Sequence, residues 1–66
     1  MCEANVYFID REGRERLVLE SVDKVVPSEE GIFLENIYSE RKTVRAKIKA
    51  MELVEHKIIL EEITHL

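Results

Sequence analysis

Sixty-six residues with a single cysteine allow one domain (residues 1–66) and no internal disulfide, and a chain this short buries only about 60% of the surface its unfolded form exposes. Such a domain leans on a metal, a partner chain or a well-made core. Fourteen acids against ten lysines and arginines give a net charge of −4, which argues against nucleic-acid binding over the whole surface, and no apolar run approaches the roughly 20 residues a membrane-spanning helix needs.

The N-terminus carries no basic region followed by an apolar run and a small-residue cleavage site, so a cytoplasmic, reducing location is expected, where a lone cysteine stays a thiol. Cys2, Ala4, Val6 and Phe8 share one parity and read as a strand. Asp10-Arg11-Glu12-Gly13 supplies a turn, with Gly13 free to take a positive φ. The next strand is RERLVLE, with Leu17 and Leu19 on one face, and Val22, Val25 and Val26 continue it after a kink near Ser21–Asp23. Pro27 ends that strand or marks an edge, because it has no N–H to give a ladder. Ser28-Glu29-Glu30-Gly31 is a second turn, and Ile32, Phe33, Leu34 and Ile37 form a third strand. After Ser39-Glu40-Arg41 comes the clearest alternation of the chain: Val44, Ala46, Ile48 and Ala50 on one face, Arg45, Lys47 and Lys49 on the other. Glu52 to Glu55 makes the next reversal, and HKIILEEI is the last strand, with Ile58 and Leu60 paired in parity.

A period of two and turn signals about ten residues apart predict an all-β fold, a small five- to six-stranded SH3-like or Sm-like barrel. A helical reading of residues 40–63 competes through their Ala, Lys, Glu and Leu content, and the strict alternation and the isoleucines and valines favour strands.

Little in this chain resembles a catalytic constellation. Both glycines sit in turns, neither His56 nor His65 has a spacing that pairs it with Cys2, and a small barrel leaves little room for a pocket. The expectation is a protein that is not an enzyme. Cys2 itself has two readings. It is a small apolar residue packed at the start of a strand, or it is a metal ligand. With Met1 removed, its α-amine and thiolate close a five-membered chelate; with Met1 retained, the backbone amine of Met1, the Cys2 amide nitrogen and the thiolate form two fused rings. Nitrogen and thiolate donors in a plane suit Ni(II) or Cu(II). One terminus cannot fill a tetrahedral zinc site, whereas two copies supply two sulfurs and two nitrogens, so the metal reading carries a homodimer with it. His56 is a weaker candidate ligand in a turn-like setting, and His65 lies in a C-terminal tail.

Residues 41–49, RKTVRAKIK, hold five cations and no acid, leaving fourteen acids against five cations in the rest of the chain. Such a stripe is either a solvated strand face, with lysines that block unwanted pairing, or a surface for RNA or an acidic protein partner. RNA binding wants stacking aromatics, and Tyr7 and Tyr38 are the only tyrosines, with no tryptophan.

The opening Met-Cys-Glu-Ala (Met1 to Ala4), the Arg45–Ile48 strand and the block Val54-Glu55-His56-Lys57-Ile58 resemble the CooT family, small proteins encoded with the carbon monoxide dehydrogenase maturation machinery and regarded as nickel-binding accessory proteins. The resemblance runs over nearly the whole chain and departs only in a slightly longer acidic tail after Leu60. It implies a compact β-barrel homodimer that binds Ni(II) through Cys2 and holds or delivers nickel for carbon monoxide dehydrogenase, with that enzyme or its maturation proteins as partners.

Overall fold

The computed structural model describes residues 3–63, so the ligands placed on Met1 and Cys2, and His65, lie outside the described residues. Six strands form among the described residues: β1 (Ala4–Ile9), β2 (Glu15–Ser28), β3 (Gly31–Asn36), β4 (Arg41–Val44), β5 (Ala46–Glu52) and β6 (Lys57–Glu62), with a 3-10 turn at Leu53–Glu55. The helical reading of residues 40–63 is thereby excluded: the alternation of Val44, Ala46 and Ile48 outweighs helix propensity.

All six strands belong to one sheet in the order β4-β3-β2-β1-β6-β5. Neighbours are antiparallel except β1 and β6, which run parallel from Asn5↔Lys57 to Ile9↔Glu61. The expected SH3-like or Sm-like barrel is not formed, because the sheet is open. Its two outermost strands, β4 and β5, are consecutive in the chain and separated only by Arg45, yet among the described residues no ladder joins them. Closing a barrel requires edges of matched length and register. Here β4 has only four residues, and β5 carries a register shift between Ile48 and Ala50, at Lys49. Bulges and edge lysines are devices that oppose edge pairing.

The sheet coils instead, so that β3 and β5 pack together although β2, β1 and β6 lie between them in the strand order. Inside the coil sit Val6, Val22, Ile32, Leu34, Ala46, Ile58 and Leu60, all buried, flanked by Ala4, Phe8, Val18, Leu19, Val25, Val44 and Ile48. The predicted parity therefore holds on β1, across Val44–Ile48 and on β6. It fails on β2. Leu17 pairs with Tyr7 and Leu19 with Val6, so a bulge at Val18 puts the two leucines on opposite faces and leaves Leu17 exposed. The predicted kink is a second irregularity in the same strand. Ser21 takes φ 57°, donates its N–H to Asn5 Oδ1 at 3.1 Å and accepts the Ile37 N–H at 3.0 Å. Beyond Val22, β2 has among the described residues a neighbour only on the β3 side, which is where Pro27 is tolerated.

The Asp10–Gly13 turn is built around one carboxylate. Asp10 Oδ1 accepts the N–H groups of Glu12 and Arg14, each at 2.9 Å, and Gly13 takes φ 84°. The Arg14 N–H is the main reason that the Asp10 carboxyl is held below its ordinary pKa, with the Glu12 N–H and the Arg14 guanidinium adding to it against some desolvation. A carboxyl whose folded pKa is depressed contributes stability above the unfolded value and loses it as pH falls through the folded value. Acid titration of the wild-type protein is therefore expected to show a loss of stability below about pH 4 that Asp10→Asn lacks, read from urea midpoints at stepped pH. Identical pH profiles for the two proteins would show that the turn does not couple to this proton.

Candidate metal centre at the N-terminal corner

The described chain begins at Glu3, the residue that follows Cys2, and passes directly into β1. What it meets there is His56. The 3-10 turn Leu53–Glu55 ends on His56 in the left-handed conformation, φ 55° and ψ 48°, with the His56 N–H donated to the Leu53 carbonyl at 3.2 Å. The His56 carbonyl accepts the Asn5 N–H at 2.8 Å, and His56 Nδ1 lies 3.1 Å from the Glu3 carbonyl oxygen. A carbonyl oxygen only accepts, so Nδ1 carries the proton and the lone pair of the neutral ring is on Nε2. The residue read from sequence as a weaker ligand in a turn is thus an exposed turn residue, and it is bonded to the segment that carries Cys2. Sequence spacing carries no sign of this contact, because it depends on the parallel pairing of the first and last strands.

The cation nearest to this corner in the sequence is engaged elsewhere. Lys57 Nζ lies 3.1 Å from Glu15 Oε1 and 5.0 Å from the centroid of the Tyr7 ring. The Glu15 carboxylate is the main reason its pKa is raised. Beside the corner, Leu53 and Val54 are exposed, Val54 at 94%. Among the described residues there is no group of three or more His, Cys, Asp and Glu side chains able to hold a metal ion.

The basic stretch 41–49 is not one strand. It breaks at Arg45 into β4 and β5, which lie at opposite ends of the strand order. Three of its five cations are used within the fold: Arg41 lies 3.7 Å from Glu35, Lys47 lies 3.8 Å from Glu61, and Lys42 Nζ donates to the Val18 carbonyl at 3.0 Å. Lys49 faces a depression it shares with Asp10, Arg11, Glu61 and Glu62, where Arg11 forms a two-pronged pair with Glu62 at 3.1 Å. That company is more acidic than basic. Tyr7 is covered by Lys57, and only Tyr38 is widely exposed.

These features define a small, open-sheet β-protein with no catalytic constellation among its described residues, and with His56 bonded to Glu3 where the first described residues meet the last turn. The model of the family described as CO dehydrogenase accessory protein CooT matches residues 1–61. A crystal structure assigned as CooT, from Carboxydothermus hydrogenoformans, is similar with a TM-score of 0.86 and 49% identity, covering 96% of this chain and all of that one. No curated protein matches. The chain belongs to the CooT family of CO dehydrogenase accessory proteins. It is an accessory protein. No described helix is long and apolar enough to cross a membrane.

Proposed function

We propose that this accessory protein carries Ni(II) as cargo for carbon monoxide dehydrogenase, binding it through the Cys2 thiolate and backbone nitrogen at Met1 and Cys2, with a second Cys2 from the other chain of a homodimer. Family membership supports the client. The chemistry of the donor set supports the metal: amine or amide nitrogen with thiolate in a plane suits Ni(II). The observation that carries the reading is the position of Glu3. The residue that follows Cys2 is bonded to the exposed His56, and this supports a site for Cys2 at the surface. A surface site lets a carrier release its metal, whereas a closed structural site retains it. The exposed Leu53 and Val54 beside that corner support a second copy there, since a domain this small has apolar surface to gain by dimerising. His56 Nε2 is the weaker candidate ligand. The split of residues 41–49 between two edges, and the use of Arg41, Lys42 and Lys47 within the fold, weigh against the other reading, an RNA- or acidic-partner-binding module.

A Ni(II) titration of the untagged protein followed by ultraviolet–visible absorbance tests the proposal. The expected result is a thiolate-to-nickel charge-transfer band saturating at roughly one nickel per two chains, absent in Cys2→Ser, whose circular dichroism is unchanged. Equal nickel binding by wild type and Cys2→Ser overturns it. So does a charge reversal at Arg45, Lys47 and Lys49 that removes client function while Cys2→Ser leaves it intact.

A further inference from the structure

We infer that His56 is a positioning residue for the start of the described chain: its Nδ1–H, donated to the Glu3 carbonyl, holds the residue that directly follows Cys2. The inference rests on the nickel reading for its consequence, although the clamp itself stands on geometry alone.

Three observations converge on it. The side chain bonds to Glu3 O at 3.1 Å and the backbone carbonyl of the same residue bonds to Asn5 N at 2.8 Å, so one residue grips the entering chain at two points, two residues apart. The His56 backbone is itself fixed. It stands in the left-handed region at φ 55°, with its N–H on Leu53 O, and is followed at once by β6, which pairs in parallel with β1 from Asn5↔Lys57 onward. Finally, β1 begins only at Ala4. The ladder therefore gives no support to Glu3, and the imidazole supplies a hold upstream of the first strand residue. A terminus that is already oriented loses less conformational entropy when it closes a chelate than a free one does. That is the contribution the clamp makes to metal binding without touching the metal.

The left-handed backbone allows a clean separation of side chain from main chain. His56→Gly keeps φ > 0 at no steric cost and removes the donor. His56→Asn also tolerates this conformation and places an amide N–H close to where Nδ1 stands. In the metal-free protein, nitrogen NMR is expected to show the Nδ1–H tautomer of His56, and backbone order at Glu3 and Ala4 is expected to fall in His56→Gly and recover in His56→Asn. Nickel affinity is expected to weaken three- to tenfold in His56→Gly, the range roughly set by one hydrogen bond, and to return to within about twofold of wild type in His56→Asn. An Nε2–H tautomer, or unchanged order at Glu3 in His56→Gly, overturns the clamp. Equal losses of nickel affinity in His56→Gly and His56→Asn also overturn positioning, because they are the signature of Nε2 as a direct ligand. The metal-free measurements stay decisive if Cys2→Ser shows the nickel reading itself to be wrong.

Discussion

Gly31→Ala is expected to remove most of the stability of this fold, with its urea midpoint falling by the equivalent of about 3 kcal/mol or more. A 66-residue domain has roughly 3–10 kcal/mol in total at typical values per residue. Two costs coincide at this position. Its φ of 142° is one that side chains rarely adopt, and a Cβ there would collide with the Val44 carbonyl oxygen and stand 3.1 Å from the Arg45 Cα. Both contacts are with backbone, which cannot swing aside as a flexible side chain does. They lie at the end of β4 and on the single-residue connection to β5, so relief of the clash moves both edges of the sheet. Gly13→Ala is the matched control. Gly13 has φ 84° with nothing within 4 Å of the place a methyl group would take, so its cost is that of the backbone conformation alone, about 1 kcal/mol. Equal losses in the two variants would show that the approach of Val44 to Gly31 contributes nothing.

Asn36→Ala is the second large effect, about 2–4 kcal/mol. Asn36 is the only buried polar side chain among the described residues, and all of its bonds serve one turn. Its Oδ1 accepts the N–H groups of Tyr38 at 3.0 Å and Glu40 at 2.9 Å, and its Nδ2 donates to Glu40 Oε1 at 2.6 Å. Ser39 holds φ 66° inside the same loop. Alanine leaves the two N–H groups without their acceptor and leaves a void beside the core. Asn36→Asp separates the accepted bonds from the donated one. It keeps both acceptor bonds and sets a second carboxylate against Glu40, so it is expected to be destabilised at neutral pH and to regain stability as the pair takes up a proton in acid. An Asn36→Asp protein with a flat pH profile relative to wild type would remove Glu40 from the account.

How far the sequence reaches is seen in these same residues. Alternation locates the strands because burial of one sheet face imposes a period of two, and Val6, Ala46, Ile58 and Leu60 are buried as their parity requires. Bulges break that period without any mark in composition, which is why alternation puts Leu17 and Leu19 on one face and the fold separates them and leaves Leu17 exposed. The two glycines read alike as turn residues, yet only Gly31 is in contact with another strand. Asn36 carries no motif, since its role depends on three hydrogen bonds to Tyr38 and Glu40 inside a five-residue loop. The barrel expectation fails for a topological reason. Strand count and spacing are the same for an open and a closed sheet, and the difference lies in which edges pair. For the candidate site, the sequence points to His56 as a possible donor, whereas its bond to Glu3 depends on a pairing between strands at opposite ends of the chain.

That pairing also sets an order of events in time. β1 can dock on β2 as soon as the first hairpin exists, but its other edge must wait for partners 52 positions downstream, from Asn5 to Lys57. Contacts of such separation are formed late, because a long loop has to close before they are rewarded. During synthesis the N-terminal half emerges first, while the residue that grips Glu3 has not yet been made. The corner at His56 is therefore among the last pieces of the molecule to exist, and a clamped Glu3 becomes a sign that the chain has finished folding.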